Sequence, residues 1–335
     1  MPRSPVILIL IAWSLGTDIA AGGVVIEEDF RDTKAPGWIF SRAEPGTGPY
    51  LTAAAGRDDA GNGALRLTDS LRNQSNSAFY EPALTLGVGS RLTVSFEFSS
   101  RAGTGADGIA LVIVDASRGG SGVGGYGGSL GYAARSNRVG MPGGYLAVGF
   151  DELGNFSNPT EGRLGGPGGT PNAIAVRGAG DGRAGYAYLT GTPNLGEGAI
   201  DFPNATSRPD AERSRRAVVT FDHVNASELL VSVAIGFGTT AAPVTLIDRF
   251  NVVGRHAHGV QPMLPEWFRI GFTASTGALT NIHEIRDLLV TIEPSSAVPS
   301  ISAVPEPSGA ISILAGTCIG VIGRIARRGS KVAIA

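Results

Sequence analysis

The chain has 335 residues, of which 17% are charged and 50 are glycine, and its formal net charge is -2 at pH 7. A hydrophobic content of 42% is enough to build a sizeable core and excludes a wholly disordered chain. The near-zero charge argues against a general nucleic-acid-binding protein, which needs a basic surface to displace the counterions of phosphate. The single cysteine, Cys318, excludes an internal disulfide.

The first 22 residues have the organisation of an export signal. Arg3 precedes an apolar run over residues 6–15, and small residues follow at 20–22. A basic start, a short apolar run and small residues predict a signal peptide over residues 1–22. The run is shorter than the roughly 20 residues that a membrane-spanning helix needs. An amphipathic or buried N-terminal helix is the alternative.

The middle of the chain is composed of short strand-like runs. They are separated by Gly, Asn, Asp and Pro, and no convincing helical periodicity occurs between them. The clearest alternation is at Leu92–Phe98, where every second residue is apolar and faces one side. This pattern predicts an all-β fold, an antiparallel sandwich or barrel. The runs lie at Ala64–Leu67, Leu92–Phe98, Ile109–Val114, Tyr145–Phe150, Ala217–Phe221, Leu229–Ile235, Val244–Val252, Phe268–Thr273 and Leu288–Ile292.

Residues 158–216 differ from this pattern because they are rich in Gly, Pro, Asn and Arg. We predict long surface loops here, with one or two short strands. At the end of this stretch, Arg213, Arg215 and Arg216 are predicted to form a solvated sheet edge that discourages pairing with other chains.

The C-terminus contains a linker over residues 294–303, followed by Val304-Pro-Glu-Pro307, an apolar stretch over 308–323 and three arginines. Arginines beyond an apolar segment orient it in a bilayer with the arginines in the cytoplasm. Residues 304–330 resemble the PEP-CTERM sorting tail. The resemblance implies transient insertion into the inner membrane as an apolar sorting helix, and cleavage by an exosortase. The processed protein is then expected at the cell surface or in the extracellular matrix. An ordinary C-terminal anchor is the alternative.

Four segments of the middle resemble a second family. An Asp-Gly pair opens an apolar strand at 106–110, and a Gly-rich loop follows at 127–132. A strand ending in clustered Asp and Asn lies at 145–159, and the most specific segment lies at 264–285. In this order they resemble the L-type, legume-like lectin domain. The resemblance implies a concanavalin-like jelly-roll β-sandwich over residues 24–293.

The same resemblance implies a carbohydrate site. Its matching residues are Asp107, Gly128 and Asn155, with the peptide between residues 106 and 107 in the cis form. A final loop that shapes the pocket matches Gly277, Ala278 and Leu279. The chemistry suits sugars, because a carboxylate accepts hydrogen bonds from hydroxyls while an amide and a backbone N–H donate to them. Leu153 stands where many members carry an aromatic that stacks on sugar, and Tyr126, Tyr132 or Phe156 could replace it.

The resemblance also implies calcium, held by Asp151, the carbonyl of Leu153, Asn155 and Asn158. Asn158 stands where the family has Asp, and calcium prefers several charged oxygens. We therefore predict that calcium binding is weak or lost. Whether Glu152 or Glu161 compensates is left open by the sequence.

The family's transition-metal site lacks its ligands here. Gly149 stands at the position of an acidic ligand, and Ala173 lies near the position of the histidine ligand. We therefore expect the transition-metal site to be absent.

Catalytic alternatives are weaker. Residues 127–131 match the Gly-x-Ser-x-Gly pattern of hydrolases, but no helix follows them as that motif requires. Asp151 and Glu152 are adjacent, so on a strand they point to opposite faces and do not form a glycosidase pair. His256 and His258 could share one strand face, but two ligands do not complete a metal site. The predicted function is non-catalytic binding of glycan or exopolysaccharide. A structural or protein-interaction module of the matrix is the alternative, and a glycoside hydrolase is less favoured.

Overall fold

The computed structural model describes residues 23–43, 47–119, 121–202, 204–210, 213–238 and 241–295. The predicted signal peptide, residues 296–303 of the linker and the predicted sorting segment lie outside the described residues. Within the described part, no helix has the length and apolar character needed to cross a bilayer.

The described residues form strands joined by turns and loops, with two 3-10 helices at Ala116–Arg118 and Gly127–Ser129. The strands are β1 (Gly23–Glu28), β2 (Trp38–Arg42), β3 (Tyr50–Leu51), β4 (Leu65–Thr68), β5 (Ser75–Tyr80), β6 (Ser90–Arg101), β7 (Gly108–Asp115), β8 (Gly144–Asp151), β9 (Ala173–Arg177), β10 (Gly180–Asp181), β11 (Ala184–Gly185), β12 (Tyr188–Gly191), β13 (Arg215–Asn225), β14 (Glu228–Phe237), β15 (Val244–Asn251), β16 (Gly254–His256), β17 (Gly259–Gln261), β18 (Phe268–Ser275) and β19 (Ile282–Pro294).

Two large antiparallel sheets pack face to face. One has the order β15-β14-β13-β6-β19-β4-β3, with β1 also paired to β19. The other has the order β12-β9-β8-β7-β18-β5-β2. Two small ribbons, β10–β11 and β16–β17, complete the strand pairing of the described residues. The predicted all-β antiparallel sandwich is confirmed.

The core lies between the two sheets and follows from the alternation of β6. Leu92, Val94 and Phe96 are all fully buried, as the period of two requires. The ring of Phe96 packs edge-on against Phe150 and Phe272 of the opposite sheet, with centroids 5.6 and 4.8 Å apart. Such aromatic pairs add about 0.5–1.5 kcal/mol to the free energy gained by burial.

The arginine-rich start of β13 is not a sheet edge. β13 pairs with β14 on one side and β6 on the other. Arg215 is buried, with its guanidinium 3.9 Å from the centre of the Phe202 ring, and burial lowers its pKa to about 10. Arg216 pairs with Glu97, and only Arg213 is exposed. The edge prediction was wrong because charge type alone does not show which strands flank a segment.

Residues 158–216 contain more regular structure than predicted. Four short strands, β9 to β12, lie there together with the beginning of β13. β9 extends the seven-stranded sheet by pairing with β8 along five residues. The prediction of one or two strands was too low because these strands are short: β9 has five residues, and β10 and β11 have two each.

Candidate functional site

The ends of three adjacent strands bring the predicted carbohydrate-site residues together. Gly108, the first residue of β7, pairs with Asp151 at the end of β8 and with Ser275 at the end of β18. Neighbouring antiparallel strands place the start of one beside the end of the next. The segments before β7, after β8 and after β18 therefore leave the sheet at the same end.

Asp107 is positioned by the turn that opens β7. The Ala106–Asp107 peptide is cis, as the resemblance implies. Gly108 follows at φ +142°, and a Cβ there would overlap the carbonyl oxygen of Phe150, so only glycine fits. Asp107 is 2% exposed, and its Oδ2 has no hydrogen-bond partner. Burial, together with the nearby Glu152 carboxylate, raises the pKa of Asp107 to about 7.

Close glycine contacts connect Asp107 to the Gly-rich loop. A Cβ built on Gly277 would lie 3.0 Å from Oδ2 of Asp107 and 3.5 Å from the Cα of Gly127. A Cβ built on Gly128 would overlap the Cβ of Asn155. The structure therefore brings Asp107, Gly277, the Gly-rich loop and Asn155 into one continuous set of contacts.

These residues differ in exposure. Gly128 and Gly277 are buried, Asn155 is half-buried, and Ala278 and Leu279 are exposed. The N–H of Gly277 donates to the carbonyl of Leu279 at 3.1 Å, which forms the turn of the final loop. The loop thus exposes two apolar residues directly after Gly277, which packs against the carboxyl of Asp107.

The aromatic candidates for sugar stacking are mostly covered. Tyr132 and Phe156 are fully buried, and Leu153 is half-buried. Tyr126 is half-buried, but the guanidinium carbon of Arg135 lies 3.8 Å from the centre of its ring. Of the three aromatics considered, only Tyr126 retains solvent-exposed surface.

The carboxylate of Asp151 is fully engaged by its own loop. Its Oδ1 accepts from the N–H of Gly154 at 2.8 Å, and its Oδ2 accepts from the N–H of Phe156 at 2.7 Å. Burial raises the pKa of Asp151 to about 7, and these two N–H bonds act in the opposite direction. Asp151 therefore shapes the loop after β8 as a capping side chain.

Glu152, one of the two residues left open as a compensating calcium ligand, is bound elsewhere. One of its oxygens lies 2.7 Å from Nε2 of His283, and the other accepts from the Asn281 amide at 2.6 Å. His283 is itself held at Nδ1 by the hydroxyl of Thr68, 2.6 Å away. This buried network ties the start of β19 to the loop after β8.

Arg177, at the end of β9, is fully buried and contacts the same loop from inside the protein. Its Nε donates to the carbonyl of Phe156 at 2.6 Å, and Nη1 donates to the carbonyls of Leu164 and Tyr186, both at 2.8 Å. Two longer bonds from Nη2 reach the carbonyls of residues 158 and 165, at 3.5 and 3.3 Å. All five guanidinium N–H groups thus have backbone acceptors. Burial lowers the pKa of Arg177 to about 9.

Arg163 connects the loop after β8 to the Gly-rich loop. It is 3% exposed; its Nε donates to the carbonyl of Asn158 at 3.2 Å, and its Nη1 donates to the hydroxyl of Ser129 at 2.8 Å. Glu161, the other open calcium candidate, pairs with Arg163 and with Arg135. The segments carrying Asn155 and Gly128 are thereby joined through one guanidinium.

The residues present do not fit the calcium and transition-metal sites that the fold resemblance implies. Both oxygens of Asp151 already accept N–H bonds, and the other two side chains named for calcium, Asn155 and Asn158, are neutral amides, whereas calcium prefers several charged oxygens. A Cβ on Gly149 would lie 2.5 Å from the ring of Phe156, so no ligating side chain has room there. Ala173 is a strand residue paired with Asp151. Within the described ranges, no group of three acidic or histidine side chains could hold a metal.

The two catalytic or metal-binding alternatives lack the necessary neighbours. The hydroxyl of Ser129 is fully buried, donates to the carbonyl of Ala134 at 3.0 Å and accepts from Arg163. His256 ends β16 and hydrogen-bonds to a backbone carbonyl 2.7 Å away. His258 lies in the turn that leads to β17. These contacts are structural ones.

A cavity of about 480 Å³ lies beside the candidate site without including it. Its lining comes from Ala102 to Gly105, from Asp201 and the residues after it, and from Asn281. None of the predicted carbohydrate-site residues faces this cavity. In the described conformation, Asp107 is enclosed by its neighbours instead of lining an open pocket.

No family model and no curated protein match the chain. Solved structures do. A lectin from Bauhinia forficata in complex with GalNAc is 17% identical, with a TM-score of 0.50 over 81% of this chain and 100% of that chain. Lectin I-B4 from Griffonia simplicifolia in its metal-free form is 16% identical, with a TM-score of 0.48 over 80% and 99%. The VIP36 exoplasmic/lumenal domain in its Ca2+/Man3GlcNAc-bound form is 17% identical, with a TM-score of 0.46 over 80% and 90%. The likeness to the Bauhinia lectin shows a legume-lectin jelly-roll sandwich, which confirms the predicted fold class.

Sequence reasoning missed Arg163 and Arg177, which organise the loop around Asn155. Both lie in the glycine-rich region that we predicted to be surface loops. The available signal was the position of Arg177 at the end of the apolar run Ala173–Val176. An arginine at that position predicts that the strand ends at the solvent-exposed surface. Only the packing of the folded chain shows that this side chain points inward.

Proposed function

We propose that the chain binds carbohydrate without catalysing a reaction, through Asp107, Gly128 and Asn155. The observation that carries the proposal is the continuous set of contacts from Asp107 through Gly277 and the Gly-rich loop to Asn155, together with an Asp107 oxygen that is buried and has no partner. Leaving a buried acceptor unpaired costs about 1–3 kcal/mol, which a donating sugar hydroxyl would recover. The jelly-roll fold shared with a lectin bound to GalNAc supports the same proposal.

One observation favours a second function, a structural or protein-interaction module of the extracellular matrix. Asp107 is only 2% exposed, so a sugar reaches its carboxyl only when the neighbouring segments move apart. A site that stays closed would leave the sandwich as a matrix scaffold.

Glycan retention by the full chain tests the proposal. The chain is applied to a glycan array and to immobilised exopolysaccharide, and Asp107→Ala is compared with Asp59→Ala, an exposed aspartate on another loop. We expect Asp107→Ala to abolish retention without lowering the melting temperature, because Oδ2 of Asp107 supports no hydrogen bond. Retention unchanged by Asp107→Ala would contradict the site, and no retention at all would favour the matrix module.

An enzyme assay separates binding from catalysis. Glu152, the only acidic neighbour of Asp151 in sequence, is engaged by His283 and Asn281, which does not suit a glycosidase acid. We expect no reducing-sugar release from common polysaccharides. Steady release that Glu152→Gln abolishes would overturn the non-catalytic proposal.

We further propose that the protein is exported, cut by an exosortase and retained at the cell surface or in the matrix, where exopolysaccharide is its natural ligand. The support is sequence alone, from residues 1–22 and 304–330. Mass spectrometry of the protein recovered outside producing cells should show a chain that lacks both segments. An extracellular chain that keeps residues 304–330 would contradict exosortase processing.

A further inference from the structure

The segment from Asp151 to Gly165, called the Asn155 loop below, is held by cations that belong to the chain itself. Several backbone carbonyls converge on one positive group there. Four of the five carbonyls that accept from Arg177 belong to this loop. Convergent oxygens around a cation are also how proteins hold calcium, but here the cation is a guanidinium.

We infer that Arg177 and Arg163 organise the Asn155 loop in place of a metal ion, and so position Asn155 against Gly128. The inference rests on the proposed function in one respect only, which is that the position of Asn155 matters for glycan binding. The organisation of the loop itself can be tested without any sugar.

Oxygens of the Asn155 loop already accept hydrogen bonds from the chain. The carbonyls of Phe156, Leu164 and Tyr186 accept from Arg177 at 2.6–2.8 Å. Each oxygen of Asp151 already accepts one loop N–H. A metal ion in this loop would therefore compete with hydrogen bonds that the chain already makes.

Buried positive groups already lie against the Asn155 loop. Arg163 and Arg177 are both buried, and their nearest opposite charges are Asp151 and Glu161. Arg135 also pairs with Glu161, so three arginines already face these two carboxyls, and a divalent ion would add two further positive charges to a buried region. Such charges are costly at low dielectric.

Arg163 also links the Asn155 loop to the Gly-rich loop. Arg163 holds the carbonyl of Asn158 and the hydroxyl of Ser129 with one guanidinium. Ser129 follows Gly128 directly, and Gly128 packs against Asn155. Arg163 therefore sets the distance between two of the proposed sugar contacts, which makes it a positioning residue.

Hydrogen exchange of the full chain, with calcium and then with EDTA, tests the inference on the unmodified protein. We expect the amides of residues 152–165 to exchange at the same rate in both conditions, and calcium to leave the melting temperature unchanged. Faster exchange of these amides in EDTA, or a rise in melting temperature with calcium, would overturn the inference.

Substitutions test the two arginines directly. In Arg177→Met and Arg163→Met, we expect exchange of the same amides to accelerate about tenfold or more, because the loop loses its internal bonds. Arg183→Met, on an exposed arginine, is the matched control and should leave the loop unchanged. If Arg177→Met fails to fold, the exchange rates of Arg163→Met decide the test. Exchange rates equal to the wild type in the decisive variant would show that the arginines do not hold the loop.

The two proposals fail in different ways. A loop that is independent of calcium and loosened by Arg163→Met supports this inference even if no glycan is retained. Retention abolished by Asp107→Ala, together with a loop that opens in EDTA, supports glycan binding and overturns the inference.

Discussion

Glu284 and Arg177 are both buried charged residues, but their surroundings differ. Three guanidinium groups contact the carboxylate of Glu284. Their nitrogens lie 2.8 Å (Arg66), 2.9 Å (Arg101) and 2.8 Å (Arg208) from its oxygens. Arg177 has no carboxylate within ion-pair distance among the described residues and is surrounded by backbone carbonyls. The negative charge of Glu284 is compensated by ion pairs, whereas the positive charge of Arg177 is compensated by the dipoles of backbone carbonyls that point at it.

The difference shows what each cluster does. The Glu284 cluster joins β4, β6 and β19 to the segment that carries Arg208, so it fastens elements that already lie in or over one sheet. The Arg177 cluster instead fixes the path of a loop that has no strand partner along most of its length. Paired charges secure the sandwich, whereas the guanidinium among carbonyls gives the loop its shape.

The largest expected effect comes from removing the shared carboxylate. Glu284→Ala leaves three buried arginines without their common partner, and breaking such a cluster costs about 3–5 kcal/mol. We expect the free energy of unfolding, measured by urea denaturation, to fall by about this amount. Glu293→Ala, at the exposed end of the same strand, is the control and should change it by less than about 0.5 kcal/mol. A small loss in the free energy of unfolding of Glu284→Ala would mean that ion pairing does not set the Glu284 cluster apart from the surroundings of Arg177.

The pH dependence of stability should show opposite signs in the two regions. Burial opposes ionisation of Glu284, but the hydrogen bond from Arg208 and the charges of the three arginines outweigh it and lower its pKa. Its contribution is therefore present above the ordinary pKa of glutamate and lost as the pH falls through the lowered value. Asp107 and Asp151 have pKa values raised to about 7. The folded protein thus binds more protons than the unfolded chain between about pH 4 and 7, so their ionisation lowers stability as the pH rises.

We therefore expect the free energy of unfolding to fall between about pH 4 and 7 and to change little above about pH 7. Asp107→Asn removes one of these two carboxyls without changing the size of the side chain, so the free energy of unfolding of this variant should decline less steeply between about pH 4 and 7. Urea denaturation at several pH values measures both curves. A wild-type stability that rises from pH 5 to 8 would contradict the raised pKa values.

A smaller effect is expected where the Asn155 loop meets the Gly-rich loop. Ser129→Ala removes the hydroxyl that accepts from Arg163, and a hydrogen bond to a charged group contributes about 1.5–3 kcal/mol. Urea denaturation should show a loss in this range, with weaker glycan retention if Asn155 shifts. Ser227→Ala, in an exposed turn, is the control. Equal stability of the two variants would indicate that Arg163 does not depend on Ser129.

The smallest effect is expected at an exposed ion pair. Arg118 and Asp181 are in contact, but their side chains are 52% and 60% exposed. Water screens such a pair, so Arg118→Ala should change the free energy of unfolding by less than about 0.5 kcal/mol. If Arg118→Ala lowered the free energy of unfolding as much as Glu284→Ala does, burial would not be what distinguishes the Glu284 cluster from this exposed pair.

The strands could be predicted because their pattern is local. Each of the nine predicted runs coincides with an observed strand, and the alternation of Leu92, Val94 and Phe96 placed their side chains in the core as expected. The short strands of the glycine-rich region were underestimated because β9 has only five residues. Two charged residues in sequence, Arg213 and Arg215, received the same prediction although one is exposed and the other buried.

The sequence by itself determined which residues alternate along a strand, and the resemblance named Asp107, Gly128 and Asn155 before any contact was known. Only the tertiary structure decided that Asp107 is enclosed, that Asp151 caps its own loop and that Arg177 points inward. The physical reason is the distance along the chain over which each kind of interaction acts. Alternation and turn preference act between neighbours in the chain, whereas the surroundings of a buried charge depend on which distant carbonyls and carboxylates the packed sheets bring within about 3 Å of it.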